Sequence, residues 1–376
     1  MTYLLRRLPL SRLLLLCGLV LVLGISITAL AFALDTGPTP PAKPLADAVH
    51  DALAGAGGES VQGVSAQVQL TDHLLEGANL ASGGGGEAGQ LTSSPLLSGA
   101  SGRLWISKEG HVRLELQSEK GDTEIYYDGT TVQMYDASSN TLYRYTPPAH
   151  EGGSDTSSDP GASTDRREVP SVAKIEEAIS HLSEHANVSG ATPTDIAGQA
   201  AYTVRVTPKE SGSLLGGAEL SWDAVHGVPL RAAIYSSTGS APVIELAATS
   251  ISYGPVESSV FEFTPPANAK VEEVVLPEND GAKPGDSTQG GEPPKVTSQG
   301  HGLATIGVLE SKTHAGAKQS SPALPEGLQT VKINGIEASE LPTELGTLLS
   351  FERSGVRYLL AGAVGPAALE AVAKGL

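Results

Sequence analysis

The chain is poor in the residues that usually announce chemistry. It has one cysteine, Cys17, in 376 residues, so no intrachain disulfide can form and whatever folds is held by packing alone. Aromatic residues make up only 4% of the sequence, and 24 basic residues face 42 acidic ones, a net charge of -18. That balance repels phosphate backbones and anionic headgroups, and it argues against nucleic acid as a partner. No Gly-x-Ser-x-Gly elbow, phosphate loop or Cys-x-x-Cys pair occurs, so the common signatures of nucleophile, nucleotide and redox sites are missing. What is abundant is Gly and Pro, 44 and 25 residues, which predicts long irregular segments around a compact part.

The N-terminus carries Arg6, Arg7 and Arg12, followed by a nearly unbroken apolar run from Leu13 to Leu34. A basic flank before an apolar run is an export signal. The run is long for a signal peptide and sufficient for a membrane span, which needs about 20 residues. Ala31-Phe32-Ala33 also supplies a small-x-small pattern, with cleavage after Ala33. Residues 1–34 are therefore read as a signal peptide or a signal anchor. In both cases the arginines keep the short N-terminus cytoplasmic and place Asp35 onward on the extracytoplasmic face, anchored or secreted. Cys17 does not read as a lipidation site, because Leu16 before it is too bulky and the preceding apolar stretch too short.

Between Gly102 and Pro147 the chain writes a ladder of short strands with turns of a few residues. Arg103 to Ser107 is followed by a Lys-Glu-Gly turn and by His111 to Ser118. There Val112, Leu114 and Leu116 alternate with Arg113, Glu115 and Gln117. Thr123 to Asp128, Thr131 to Tyr135 and Thr141 to Tyr145 continue the ladder, with Asp128-Gly129 as one of the turns. A period of two with short turns is an antiparallel sheet with one dry face.

Around this ladder, residues 35–44 form a Pro-rich spacer. Leu45 to Ala54 carries a helical stripe of Leu45, Ala48, Val49, Ala52 and Leu53, and Val64 to Leu70 alternates as a strand. Residues 149–170 lack the apolar content to order themselves. Ser171 can cap a helix to about Asn187, whose stripe of Ile175, Ala178, Ile179, Leu182 and Ala186 is expected to lie on the sheet. Strands follow at Ala200 to Thr207, Ala218 to Asp223, Leu230 to Ser236 and Val243 to Tyr253, about nine in all and antiparallel. Residues 271–298 read as an acidic Gly/Pro-rich linker. Residues 299–376 read as strands at Leu303 to Glu310 and Leu328 to Ile333, a hairpin at Gly346 to Ala363 and a final helix, docked on the main domain of residues 45–270.

Three patterns invite a chemical reading. His181-Leu182-Ser183-Glu184-His185 fits the His-x-x-Glu-His form of a zinc hydrolase, but the helical stripe turns His181 and Glu184 to solvent and no third ligand is identifiable. Gly84 to Gly89 fits Gly-x-Gly-x-x-Gly without the parallel strand and helix a dinucleotide needs. Adjacent pairs such as Glu176-Glu177 and Glu272-Glu273 point apart and stay solvated. No catalytic, metal or cofactor residue is assigned. Asn187-Val188-Ser189 has the form of a glycosylation sequon, and Trp105 and Trp222 read as core residues.

Gly102-Arg103-Leu104-Trp105-Ile106, Val112-Arg113-Leu114-Glu115 and Tyr127-Asp128-Gly129-Thr130-Thr131-Val132 resemble the core of the lipoprotein carrier family that includes LolA. Val228-Pro229-Leu230-Arg231, Ile251-Ser252-Tyr253-Gly254 and Phe261-Glu262-Phe263-Thr264-Pro265-Pro266 follow in that family's order. The resemblance spans roughly Val61 to Val271 and is closest to exported Gram-positive, actinobacterial-type members. It implies a mainly β (α+β) fold, an unclosed curved antiparallel half-barrel with a few covering helices over an apolar cavity that takes acyl chains. Family carriers have a basic residue three positions after the strand Trp that helps the lid engage the sheet. Lys108 stands there, without the planar fork of a guanidinium.

The resulting expectation is a non-enzymatic envelope protein that binds a lipid or lipoprotein acyl chain, with Leu104, Ile106, Leu114, Leu116, Trp222 and Ile234 lining the cavity. Alternation supplies that set but not which face looks inward. The alternative is a regulatory sensor that binds a membrane anti-sigma factor, as RseB-type proteins resembling LolA do.

Overall fold

The structure, a computed structural model, describes residues 37–56, 61–76, 78, 95–119, 121–147, 169–274, 295–312, 324–325 and 327–376. The run Leu13–Leu34, the candidate cleavage site after Ala33, Gly84 to Gly89 and most of 149–170 lie outside the described residues.

Most of the described chain is one strongly curved sheet. Its strands are β1 (Gly63–Asp72), β2 (Ala100–Ser107), β3 (Val112–Ser118), β4 (Gly121–Tyr127), β5 (Val132–Asp136), β6 (Thr141–Tyr145), β7 (Ala186–Val188), β8 (Thr192–Ile196), β9 (Gln199–Pro208), β10 (Leu215–Asp223), β11 (Pro229–Ser236), β12 (Pro242–Tyr253) and β13 (Lys270–Glu273). They pair in the order β13-β6-β5-β4-β3-β2-β1-β12-β11-β10-β9-β7, with β8 also on β9. All the pairings are antiparallel except β13 with β6. The sheet does not close, so the architecture is the expected half-barrel. Its bend is built into the register. Gln67 opposes Ser250 but Val68 opposes Ala248, which leaves Thr249 as an extra residue in β12, and a bulge of this kind sharpens twist and curvature.

Helix α1 (Leu45–Ala56) lies on the concave side. Leu45, Ala48, Val49 and Ala52 pack on Tyr202, Val204 and Trp222. The extended residues before it are tied down as well: the Tyr202 hydroxyl donates to the Pro41 carbonyl at 2.6 Å, and Lys43 pairs with Asp51 at 2.7 Å while standing over the Tyr202 ring. At its other end α1 meets the β10–β11 turn. Gly227 has φ +68°, and a Cβ there would overlap the Ala52 carbonyl; a Cβ on Gly55 would in turn crowd the Val225 carbonyl. Only a bare backbone at Gly227 allows this approach.

Two expectations need correction. Helix α3 (Val172–His185) begins at Ser171, whose hydroxyl accepts from the Lys174 N–H, after the single turn α2 (Pro95–Ser98) earlier in the chain. Its apolar stripe does not lie on the sheet. Only Ile175 and Ala186 are buried and Leu182 is 45% exposed, because α1 already covers β9 and β10 and α3 rests against α1 and runs into β7. Residues 271–273 and 295–298, read as part of a linker, lie in strands. The segment after β12 carries Phe261 and Phe263 across the back of the sheet and delivers β13 alongside β6. There backbone bonds such as Lys270 N–H to the Asn140 carbonyl and Val274 N–H to the Arg144 carbonyl hold a sequence with little apolar content.

The second sheet comprises β14 (Lys295–Gln299), β15 (Ile306–Lys312), β16 (Gln329–Ile333), β17 (Ile336–Thr343), β18 (Gly346–Arg353) and β19 (Val356–Gly362), ordered β14-β15-β19-β18-β17-β16. Helix α4 (Pro366–Lys374) packs Leu369 and Ala373 onto Val308, Ile333, Leu349 and Leu360. Backbone bonds join the two sheets. The Leu214 N–H donates to the Ala363 carbonyl at 2.7 Å and the Glu344 N–H to the Leu74 carbonyl at 3.0 Å, with the Ser213 hydroxyl also donating to Ala363. One carboxylate is buried in this sheet. Glu340, only 2% exposed, accepts from the Gln329 amide at 2.8 Å, while its Oε1 has no partner. Burial raises its pKa and the Glu370 charge adds to this, against the opposing Gln329 bond.

Two outcomes follow. Gly227→Ala forces α1 off the turn and costs roughly 1–3 kcal/mol in denaturant unfolding; unchanged stability would show that the approach to Ala52 carries no load. Because the folded pKa of Glu340 lies above its unfolded value, its ionisation opposes folding increasingly as pH rises above the ordinary carboxylate range. Glu340→Gln therefore raises the unfolding temperature near pH 8 and leaves it nearly unchanged near pH 4, as a thermal melt at the two pH values would record.

Candidate functional site

The concave face of the first sheet carries apolar rows from β6 to β9. Across β1 to β6 the register aligns Ala66, Leu104, Leu114, Ile125, Met134 and Tyr143 in one row, and Val64, Ile106, Val112, Tyr127, Val132 and Tyr145 in the next. In the other direction, Leu70, Leu246, Ala232, Leu220 and Val204 form a row across β1, β12, β11, β10 and β9. Strict alternation in each strand puts these side chains on one face and Arg103, Glu115, Glu124 and Gln133 on the other.

Where β12 bends at its bulge, β11 comes near β1 and β2 and the three form a partly open pocket of about 150 Å³. Its walls are Val64, Ala66 and Val68 of β1, Leu104 and Ile106 of β2, Val228 to Ala232, and Leu246, Ala248 and Ile251 of β12. Beyond β2 the floor is half-buried. Leu114, Ile125, Met134 and Tyr143 are each partly exposed, and the short turn α2 contacts β1, β3 and β4 and packs Leu96 into the cluster that holds Leu114.

The six residues singled out from the sequence fall on this one face. Leu104 and Ile106 line the cavity; Leu116 is buried, and Leu114 packs beside it in the same cluster. Ile234 is half-buried opposite Ile244 and Ala218. Trp222 is separated from the cavity, buried beneath α1 against Ala48, Ala191 and Tyr202, and its Nε1 lacks a hydrogen-bond partner. Lys108 is exposed in the β2–β3 turn, and the contacts that hold α1 come instead from Gly227, Tyr202 and Trp222. Sequence reasoning missed Ile125 and Met134, which continue the row, and Val228 to Leu230, which wall the cavity. For Ile125 and Met134 the signal was present in the alternation of β4 and β5; for Val228 to Leu230 it was not, since only the bend brings them there.

The turn that carries Val228 is fixed by a buried carboxylate. Asp223, 2% exposed, accepts from the N–H groups of Val225 and His226 at 2.7 Å each and from the Tyr253 hydroxyl at 2.6 Å. Its Oδ1 also lies 3.3 Å from His226 Nδ1, and the His226 ring stacks on Tyr253 at 3.9 Å. Burial alone would raise the Asp223 pKa, but the Tyr253 hydroxyl and the two N–H donors outweigh it and hold the carboxyl below its ordinary value. Burial and the Asp223 charge in turn push the Tyr253 hydroxyl well up. The group is therefore an ionised hub bonded on several sides.

The convex face is polar and braced. Arg231 bridges Glu219 at 2.7 Å and Glu245 at 2.6 Å, and Arg205 reaches Glu219 at 2.9 Å. Phe263 stacks on Tyr126 at 4.5 Å, Phe261 meets His111 edge-on, and Arg113 donates to the Val260 carbonyl at 2.8 Å while lying over the rings of Trp105 and Tyr126. The Phe-x-Phe segment is a strap across the back of the sheet.

Of the chemical patterns, His181 and Glu184 lie 3.7 Å apart with side chains 73% and 61% exposed, and His185 is exposed beside them. Among the described residues no group of three or more His, Cys, Asp or Glu side chains gathers as a metal site. Among them, too, no helix is long and apolar enough to cross a membrane.

No protein-family model and no curated protein sequence matches the chain. Among solved structures, it is similar to the MucA/MucB complex of Pseudomonas aeruginosa at 16% identity, covering 86% of this chain and 96% of that one with a TM-score of 0.42. It is similar to a putative outer membrane lipoprotein-sorting protein domain from Vibrio parahaemolyticus at 12% identity, covering 57% and 95%, TM-score 0.24. A LolA superfamily protein from Nitrosomonas europaea is matched at 8% identity over 85% and 91%, TM-score 0.20. These superpositions are loose, and the fold is read from the sheet itself. With an unclosed antiparallel sheet, an apolar concave face and a helix laid over it, the chain has the curved, mainly β half-barrel architecture that the LolA resemblance implies.

Proposed function

We propose that the protein is a non-enzymatic component of the cell envelope that binds a lipid or lipoprotein acyl chain along the concave face, in lipid or lipoprotein trafficking. The observation that carries this is the continuity of the apolar row with a dry pocket at one end. The pocket, at about 150 Å³, is smaller than the ~300–1,000 Å³ of ordinary small-molecule sites, so it takes in only a segment of a chain. The row from Ala66 to Tyr143 crosses six strands, a span of roughly 24 Å at about 4.8 Å per gap. That exceeds the ~15 Å depth of one bilayer leaflet's hydrocarbon, so a full membrane acyl chain fits when its end sits in the pocket and the rest lies over Leu114, Ile125 and Met134. Each methylene removed from water contributes about 0.8 kcal/mol, and Met134 adds an adaptable surface.

A second reading, a sensor that binds a membrane regulatory protein, is favoured by one feature the acyl reading leaves idle. The sheet β14–β19 is bonded to the first sheet through backbone groups and presents β14 as an exposed edge, a place where another chain can add a strand. Deleting residues 295–376 would abolish capture of a membrane regulator from envelope extracts under this reading and leave fatty-acid uptake intact.

The acyl reading is tested with the exterior part, residue 35 onward, and a fluorescent fatty acid. Uptake should be saturable, and competition should strengthen from dodecanoate to hexadecanoate. Leu104→Glu and Ile125→Glu should each weaken uptake roughly tenfold or more by placing an unpaired charge in the dry row, whereas Gln67→Glu on the other face of β1 should not. A preparation that carries no lipid by mass spectrometry and takes up no fatty acid would overturn it.

A further inference from the structure

The two ends of the first sheet differ in what they bear. One end carries the second sheet, through Leu214, Ser213 and Leu74. The other end gathers four features. The described chain enters there, with Gly37 against the Asp195 side chain. The β8–β9 turn lies beside the β10–β11 turn, the Ala224 N–H donating to the Ala200 carbonyl at 2.8 Å. The last turn of α1 packs on that same β10–β11 turn through Gly55 and Gly227. From this rim two apolar side chains project without cover, Val225 at 72% exposure and Leu53 at 44%.

We infer that this rim rests on the membrane surface, with Val225 and Leu53 in the lipid interface. Only Asp35 and Thr36 separate the apolar run Leu13–Leu34 from Gly37. Three peptide steps reach at most about 10 Å, so a retained run holds the rim against the bilayer and the second sheet away from it. The proximity comes from the tether. At the rim, Asp51 and Asp195 outnumber Lys43, which is already paired, so the surface fits a zwitterionic lipid rather than an anionic one. The apolar pair then needs no basic patch to engage. The same turn continues from Val225 into Val228 and Leu230, the wall of the dry cavity. If the acyl-chain reading holds, the chain enters the pocket from the membrane at this rim; the placement of the rim itself stands without that reading.

The test uses the full chain with Cys17→Ser, which removes its only cysteine, and one environment-sensitive fluorophore on a new cysteine. Val225→Cys and, separately, Leu53→Cys place it on the rim; Ser240→Cys, exposed in the β11–β12 turn at the opposite end, is the control. In phosphatidylcholine vesicles the two rim labels should shift to the blue and be quenched by a quencher on the lipid chains, and the control should do neither. Adding anionic lipid should not strengthen the effect. Rim labels that report water like the control would overturn the inference, as would mass spectrometry of the membrane-expressed chain showing that it begins after Ala33. Fatty-acid uptake by the same preparations is read independently, so failure of the membrane contact and failure of the acyl reading are distinct results.

Discussion

The bend at Thr249 is the constraint on which the rest of the structure depends. A flat sheet with the same alternation would offer an apolar plane that must aggregate or be covered by helices along its length. One extra residue in β12 rotates β11 toward β1 and β2. The apolar plane then folds partly onto itself, and the cavity among Val64, Leu104, Leu230 and Ile251 is a product of that rotation. The protein needs few helices because the sheet supplies much of its own cover, α1 closing the part over Trp222 and Tyr202.

Curvature places different demands on the two faces, and the side chains divide accordingly. Concave positions crowd together and take aliphatic residues; convex positions spread apart and take long, charged ones. Arg231 spans the gap to Glu219 and Glu245, and the guanidinium of Arg113 covers Trp105 and Tyr126. These partly exposed pairs individually contribute little, but with the Phe261 and Phe263 strap they fill the back of the sheet. The strap also sets the direction of β13. Emerging from the far side of β3 to β5, the chain reaches β6 running parallel to it, the one parallel pairing in the first sheet.

Much of this was legible in the sequence, and the failures have physical reasons. The ladder from Arg103 to Tyr145 is visible because each strand keeps its period of two and each turn is short; the structure moves its boundaries by only a few residues. The shared face of Leu104, Leu114 and Leu116 follows from the same period. Trp222 was separable from the cavity residues only through α1, whose position depends on Gly227 meeting Ala52, a contact between segments far apart in the chain. Strand β17 was missed although Asn334-Gly335, with φ of 48° and 85°, is a strong hairpin signal. Its strand opens with Ile336-Glu337-Ala338-Ser339-Glu340, and the buried Glu340 breaks the apolar alternation. The stripe of α3 misled for the opposite reason: helical periodicity reports an amphipathic face but not whether a competing helix has already taken its partner.

The turn from Asp223 to Leu230 ties these elements together. Its first residue is the ionised hub that holds the backbone of Val225 and His226 and the hydroxyl of Tyr253. Its centre, Gly227, clasps α1, and its last residues wall the cavity. The seating of α1 and the volume of the pocket are therefore set by one segment with no slack between them. Enlarging the pocket by moving Val228 and Leu230 outward draws on the same backbone that touches Ala52, so the pocket widens only as the clasp on α1 loosens. A ligand that fills more than the pocket must either stay in the half-buried row over Leu114, Ile125 and Met134 or supply, through its own burial, the free energy that releasing the helix costs.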